Sequence, residues 1–375
     1  MIKDEMTKKL GFGCMRLPIL DGDTEKIDDE QFCKMIDTFM EKGFTYFDTA
    51  FPYHNEKSEP AVKRCLVDRY ERSKFFLATK MPVWNVHEYA DYEKYFNMQL
   101  ERTGAGYFDF YLLHALGKDR IEECEKFGGF EFIQKMKAEG KIRYAGFSFH
   151  DSADVLEEAL TRHPEVDFVQ LQINYYDWDS KNVQSGKCYE VATRHGVPVV
   201  VMEPIKGGTL ANLAEGPANI LHALDPEASI ASFAVRYVAS LDNVFMVLSG
   251  MSTYEQLADN TSYMENFKPL SAEEQEAIQK VVAELKKLPT IPCTKCRYCV
   301  AGCPQEILIP DLFQAYNDTV QFGVNPITMR GFNNAVNNGH CKPSECIKCG
   351  ACEDQCPQHL EIRDLLEKVA ATFEK

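Results

Sequence analysis

No stretch of this sequence approaches the roughly twenty consecutive apolar residues that a membrane-spanning helix needs. The start, MIKDEMTKKL, is charged where a secretory leader would be apolar. Together these absences exclude a membrane span and make the cytoplasm the expected compartment. Basic residues are in deficit, with 41 Lys and Arg against 57 Asp and Glu, a formal charge of −16. Nucleic-acid backbones are bound through clustered Lys and Arg, so no nucleic-acid partner is expected. Acidic and basic residues roughly balance after Lys286, which places the acidic excess in the larger N-terminal part, where it serves solubility. No G-x-G-x-x-G run follows an early strand, which argues against a Rossmann cofactor domain. Apart from one pair of cysteine motifs there is no tandem repeat and no low-complexity tract.

What the chain does have is cysteine, 14 in 375 residues. A cytosolic chain keeps its thiols reduced, so metal ligation is a better reading than a disulfide framework. Cys293-x2-Cys296-x2-Cys299-x3-Cys303-Pro304 recurs as Cys346-x2-Cys349-x2-Cys352-x3-Cys356-Pro357. Each is the bacterial ferredoxin run, in which a tight loop delivers three thiolates to one [4Fe–4S] cubane and the fourth reaches the other cluster. Crossed ligation is therefore expected: Cys293, Cys296, Cys299 and Cys356 around one cluster, and Cys346, Cys349, Cys352 and Cys303 around the second. A pair of zinc knuckles is the competing reading, although zinc sites usually separate two C-x2-C pairs by a longer loop. The long, helix-patterned interval between the motifs makes this half resemble α-helical ferredoxins. Cys14, Cys33, Cys65, Cys124, Cys188 and Cys341 lack motif spacing and read as thiols of the core or surface, with Cys341 alone near enough to the motifs to be weighed as a ligand.

The length exceeds a usual single core, so one large domain and one small one are expected. From Leu10 to about Asn266, short β-branched or aromatic runs alternate with longer amphipathic stretches, the pattern of parallel strands joined by helices. Strands are expected at 11–15, 45–48, 75–79, 108–113, 143–147, 168–171, 197–202 and 244–248. Helices are expected at 28–42, 59–70, 89–102, 121–138, 152–161, 183–195, 228–240, 253–263 and 272–287. Eight such units fit an α/β fold, a (β/α)8 TIM barrel of about 250 residues, with a doubly wound open sheet as the alternative. Prolines at 289 and 292 suggest a boundary, giving a barrel domain at 1–285 and a mainly helical bis-[4Fe–4S] domain at 286–375, with helices around 311–322 and 330–338.

In such a barrel, chemistry collects where strands end. Asp48 follows Phe44-Thr-Tyr-Phe47, Tyr53 lies in the next loop, Lys80 follows Phe75-Phe-Leu-Ala-Thr79, and His114 follows Phe110-Tyr-Leu-Leu113. Singly, each reads as readily as a strand-end hydrogen bond or salt bridge. Together and in this order they resemble the tetrad of the aldo-keto reductases, a likeness extending over nearly the whole barrel. The resemblance implies an oxidoreductase that interconverts a small carbonyl compound and its alcohol using NAD(H) or NADP(H). It makes Tyr53 the proton donor, with Lys80 lowering its pKa, Asp48 holding Lys80, and His114 orienting the carbonyl oxygen.

The same resemblance assigns cofactor contacts to Gly13, to Ser148 and Gln170 at the nicotinamide carboxamide, and to Met202, where classical members stack a Tyr. It assigns the adenosine phosphate end to Gly250, Ser252, Thr253, Gln256 and Asn260, with Ser252 and Thr253 as candidate caps of a helix N-terminus. Members selective for NADPH often carry Lys and Arg where this chain has Gly250 and Gln256, so the sequence leans to NADH. Hydride transfer moves two electrons and a cluster moves one, a mismatch that a flavin often bridges, yet no motif indicates a flavin. The clusters could serve one-electron exchange with an electron-transfer protein, sensing or docking. Alternatives are a ferredoxin- or flavin-coupled reductase and a non-catalytic cofactor-binding module. Substrate identity and oligomeric state leave no mark in the sequence.

Overall fold

The computed structural model describes residues 2–374 except Thr7, Asn182, Thr294, Cys296, Asn338 and residues 357–359. It divides into two compact units, Met1–Pro204 with Ser232–Ser271, and Ile205–Ala231 with Ala272–Lys375. The strands are β1 (Leu10–Gly13), β2 (Tyr46–Asp48), β3 (Phe76–Met81), β4 (Phe108–Leu116), β5 (Ile142–Phe149), β6 (Phe168–Gln172), β7 (Val199–Met202) and β8 (Val244–Gly250). The helices run α1 (Ile2–Glu5), α2 (Asp29–Glu41), α3 (Ser58–Val62), α4 (Tyr89–Thr103), α5 (Lys118–Phe127), α6 (Gly129–Ala138), α7 (Ala153–Arg162) and α8 (Ser185–Arg194). They continue with α9 (Glu215–His222), α10 (Ile230–Ala239), α11 (Tyr254–Met264) and α12 (Ala272–Lys287). The last five are α13 (Tyr298–Ala301), α14 (Ile309–Phe322), α15 (Pro326–Val336), α16 (Ala351–Asp354) and α17 (Ile362–Phe373).

The eight strands are parallel, each pairs with the next, and β8 returns to β1, closing the barrel. The open-sheet alternative is thereby excluded. Strands of such a barrel are covered on both faces and read as continuous apolar runs, as Val199–Val201 shows, all fully buried. One end of the interior is filled by Tyr46, Phe110, Phe168, Phe245 and Met246, onto which Ile2 of α1 packs. The ring centroids of Phe110 lie 5.0 Å from those of Tyr46 and 5.2 Å from those of Phe168, a packed floor rather than a pore. Polar side chains are left to the other end.

Two expected helices are broken. The stretch 121–138 becomes α5 and α6, separated at Gly128, whose φ of +80° ends the first helix in the left-handed conformation that glycine adopts without penalty. The stretch 59–70 is α3 followed by a π-helical turn at Lys63–Val67. Cys65 in that turn is joined to Cys33 of α2 as a disulfide, where the sequence led us to expect two thiols.

In the second unit Ile291, Leu312, Phe313, Phe332, Leu366 and Phe373 share one apolar core, with Phe332 stacked on Phe373 at 4.5 Å. α15 starts four residues before the expected 330 because Asn325 caps it, its Oδ1 accepting from the amides of Ile327 (2.9 Å) and Thr328 (3.1 Å). α12 and residues 205–231 belong to this compact unit although they lie within the stretch expected as barrel domain. No helix among the described residues is long and apolar enough to cross a membrane.

Barrel closure leaves little room at β5 and β6. A Cβ at Gly146 would sit 2.2 Å from the carbonyl oxygen of Phe168. Gly146→Ala should therefore lower the urea midpoint of the barrel transition by the equivalent of about 3 kcal/mol, the upper end of overpacking costs. An unchanged midpoint would mean that the strands can separate there without cost.

Candidate active site and cluster-binding site

Asp48 closes β2 in register with Ala78 of β3 and Gly13 of β1. Two residues beyond Ala78, Lys80 points its ammonium into the same space, where it is 1% exposed. An ammonium has three N–H donors, and all three are used here: Asp48 Oδ1 accepts at 2.6 Å, the Thr49 carbonyl at 2.8 Å and Tyr53 Oη at 3.3 Å. The second oxygen of Asp48 accepts from Gln170 Nε2 at 3.3 Å. Tyr53 Oη thus accepts a hydrogen bond from Lys80 and keeps its own O–H to donate elsewhere.

A buried ammonium survives only if its partners offset the lost hydration. Burial pulls Lys80 down, but Asp48 and then Tyr53 raise it above its ordinary value, so it stays charged. Burial pushes the Asp48 carboxyl up, opposed by the charge and hydrogen bond of Lys80 and by the bond from Gln170; with both oxygens accepting, the pair is ionic. For Tyr53 the balance differs from the expectation. Lys80 does pull the phenol down, but burial pushes it up by more and Asp48 adds to the rise, leaving Tyr53 a firmly protonated donor.

His114 is carried by an irregularity of β4. The pairing with β5 slips between Leu113 and Leu116, and Ala115 takes a φ of +55°. Ser148 Oγ accepts the freed Ala115 amide at 2.7 Å, pinning the bulge. The imidazole stands edge-on to Tyr53, with centroids 6.0 Å apart, and 5.2 Å from Trp84. Burial, then the charges of Lys80, His150 and Arg120, hold His114 well below the usual histidine range, so the ring is neutral. Its Nδ1 is buried with no partner among the described residues.

The cofactor candidates divide. Ser148 and Gln170 face each other in the β5–β6 register, and a Cβ at Gly13 would lie 3.2 Å from the Ser249 carbonyl, so β1 and β8 approach closely there. Met202 ends β7, half-buried. Thr253 caps α11, its Oγ1 accepting from the Gln256 amide, whereas the Ser252 hydroxyl donates to the Arg16 carbonyl at 3.0 Å and does not cap. Gln256 Oε1 accepts from the Ser252 amide at 2.7 Å. Asn260 is spent internally, donating to Ser249 Oγ at 2.7 Å and accepting from Tyr263. Sequence reasoning missed Arg16, whose side chain lies where a Cβ on Gly250 would meet it at 3.3 Å. This segment therefore has a cation nearby, supplied from the loop after β1, and no linear spacing could have announced it.

In the second unit Cys303 of the first motif and Cys346, Cys349 and Cys352 of the second line one shallow hollow, walled also by Ile307, Ile309 and Leu366. The described residues of the two loops repeat the same features. The Lys295 amide points to Cys293 Sγ at 3.5 Å and the Lys348 amide to Cys346 Sγ at 3.4 Å. Lys295, Arg297, Lys348 and Gly350 all have positive φ. Residues with positive φ in such loops can turn N–H groups toward an anion, which suits a cluster held by thiolates. Among the described residues no three His, Cys, Asp or Glu side chains converge on a single ion, and the four sulfurs line a wall instead. Cys293, Cys299 and Cys356 pack against the same core, while Cys296 lies outside the described residues. Cys341 does not line the hollow; its thiol meets Gln305 Oε1 at 3.6 Å.

A second buried acid underlies the site. Glu59 of α3 is fully buried; its Oε1 accepts from Thr79 Oγ1 and Gln99 Nε2, both at 2.7 Å, and Oε2 has no hydrogen-bond partner, with Arg102 at 3.8 Å. Gln99 also donates to the Lys80 carbonyl at 3.0 Å and accepts from Tyr111. Burial pushes the Glu59 carboxyl up to about 7 against these bonds. The folded state thus holds this proton more tightly than the unfolded chain does. Its stabilising contribution is complete at low pH and is lost as pH rises from about 5 through 7, up to about 3 kcal/mol. Urea melts of the native protein and Glu59→Gln at pH 5 and 8 should show this loss in the first and a flattened dependence in the second; parallel curves would remove Glu59 from the account.

The aldo/keto reductase family profile matches residues 9–283, and a 4Fe-4S dicluster domain profile matches residues 292–360. An uncharacterized oxidoreductase of Schizosaccharomyces pombe is 25% identical over 270 residues, 69% of this chain and 82% of its own. Another from Bacillus subtilis is 26% identical over 303 residues, 72% of this chain and 91% of its own. An aldo-keto reductase of Bacillus halodurans, solved in its holo form, aligns with a TM-score of 0.57 at 26% identity, over 73% of this chain and 91% of that one. One from Klebsiella pneumoniae in complex with NADPH shares the fold, with a TM-score of 0.59 at 22% identity over 73% of this chain and 90% of its own. On a closed eight-stranded barrel, a match across residues 9–283 and a cysteine-rich second unit, the chain belongs to the aldo/keto reductase family and carries a C-terminal 4Fe-4S dicluster domain.

Proposed function

We propose that the barrel is a nicotinamide-dependent oxidoreductase acting on a small aldehyde or ketone and its alcohol. The observation that carries this reading is the saturated Lys80 ammonium, which binds Asp48 and Thr49 and leaves Tyr53 with a free O–H beside the neutral His114. A bound nicotinamide supplies or accepts the hydride. Tyr53 delivers the proton to the carbonyl oxygen, and the phenolate it becomes is stabilised by Lys80 3.3 Å away. Asp48 keeps Lys80 charged and aimed. His114, neutral, donates a hydrogen bond to the carbonyl oxygen without surrendering a proton. In the reverse direction the Tyr53 phenolate takes the alcohol proton.

Ser148 and Gln170 are suited to the carboxamide because each keeps capacity to spare: the Ser148 hydroxyl can still donate, and Gln170 Oε1 can still accept. The absence of Lys and Arg at 250 and 256 supports NADH; Arg16 is the nearby cation that could oppose it. The cysteines of the second unit would hold two [4Fe–4S] clusters, which store and pass single electrons when bound. Cys349 is exposed and its neighbour Ile347 is 58% exposed, which supports exchange with a partner protein at that wall.

Tyr53→Phe should lower kcat at least about 100-fold while cofactor binding, followed by nicotinamide fluorescence, persists; retained turnover would remove Tyr53 as acid. NADH should give the higher kcat/KM. A preference for NADPH that collapses in Arg16→Gln would contradict that reading and assign the 2′-phosphate to Arg16. For the clusters, crossed ligation predicts that Cys303→Ser and Cys349→Ser perturb the same electron paramagnetic resonance signal after anaerobic reduction. If Cys303→Ser instead matches Cys299→Ser, ligation is not crossed.

A further inference from the structure

Most arginines of the barrel unit hold a carboxylate: Arg64 pairs with Asp29, Arg69 with Asp37, Arg72 with Asp109, Arg102 with Glu56 and Arg162 with Glu125. Arg120, in the first turn of α5, holds none among the described residues. Among the described residues its guanidinium is held by one hydrogen bond, Nη1 to the Ala115 carbonyl at 2.7 Å, and lies 5.5 Å from the Trp84 ring centroid. Asp151, in the loop after β5, accepts from the amides of Lys118 (2.9 Å) and Ser152 (2.7 Å). The charge of Arg120 is felt at both His114 and His150, so it faces the reacting end of the barrel. In a chain of formal charge −16, a half-buried cation left without an acid at that place calls for a ligand.

The cofactor is not that ligand. The residues suited to it lie on β1, β5, β6, β7, the end of β8 and the start of α11, whereas Arg120, in α5, stands with His114 of β4 and with Trp84 of the loop after β3. Ring contacts run from Tyr53 to His114 (6.0 Å), to Trp84 (5.2 Å) and on to Arg120 (5.5 Å). A carbonyl placed at Tyr53 and His114 would extend along the 37% exposed Trp84 indole toward the guanidinium.

We infer that Arg120 binds an anionic tail of the substrate, a carboxylate or phosphate monoester several bonds from the carbonyl, with Trp84 covering the apolar or aromatic spacer between them. The bond to Ala115 fixes the fork while leaving Nη2 and Nε for the two oxygens, the geometry in which arginine recognises such anions. The bulge that carries His114 therefore also carries the acceptor that aims Arg120. This inference rests on the reading of Tyr53 and His114 as the carbonyl end.

The test uses the full chain with its cofactor and three aldehydes of one shape: benzaldehyde, 4-formylbenzoate and 4-formylphenyl phosphate. The native protein should prefer at least one anionic aldehyde over benzaldehyde by roughly 10- to 100-fold in kcat/KM, mainly through KM. In Arg120→Gln that ratio should fall by about tenfold or more, and in Arg120→Lys by less. Thermal midpoint and cofactor affinity of each variant report folding. No preference in the native protein, or a preference unmoved by Arg120→Gln in a folded variant, overturns the inference. If Tyr53→Phe turns over all three aldehydes like the native protein, it is the catalytic reading that fails; if Tyr53→Phe is inactive and the preference is missing, Arg120 alone is at fault.

Discussion

Everything at the reactive end of the barrel depends on one buried ion pair, Asp48 with Lys80 at 2.6 Å. Removing either charge would leave the other stranded in a site sealed below by an aromatic floor, a penalty of several kcal/mol. The pair is tolerable because both of its charged groups are matched: three acceptors for the ammonium, two donors for the carboxylate. That matching also orients Tyr53. With Lys80 donating to its oxygen, the phenol is left as donor toward the open side, which is the polarity that carbonyl reduction demands. The backing shell, Thr79, Gln99 and Glu59, reaches the same lysine through its carbonyl, so the geometry is fixed from behind as well as from within.

The sequence made much of this legible because the strand period is short and the chemistry sits at strand ends. All eight strands and the order Asp48, Tyr53, Lys80, His114 follow from local runs. The breaks in helices were less visible: Gly128 carries the signal of a left-handed stop, but 121–138 keeps its apolar stripe across it. Non-local contacts were invisible. Arg16 reaches Gly250 across the β1–β8 closure, and Ser148 is committed to the bulge at Ala115 rather than standing free at a strand end. The rise of the Tyr53 pKa was misjudged for a related reason, since a linear motif shows the neighbouring cation and not the extent of burial.

The cysteine repeat was the clearest feature of the sequence, and among the described residues Cys303 shares one hollow with Cys346, Cys349 and Cys352. The paired N–H to sulfur contacts and repeated positive φ values recur at matching described positions of the two loops. What joins the two halves is a question of electron number. On the proposed reading the barrel residues supply a proton that accompanies a hydride, whereas clusters move electrons singly.

That contrast makes the origin of the hydrogen on the product carbon the most direct measurement of the central claim. Anaerobic turnover of an aldehyde with NADH deuterated at the transferable position of C4, in ordinary water, should place deuterium on the carbinol carbon of the alcohol. An alcohol whose carbinol hydrogen comes from water would contradict hydride transfer in the barrel and point to electrons delivered one at a time.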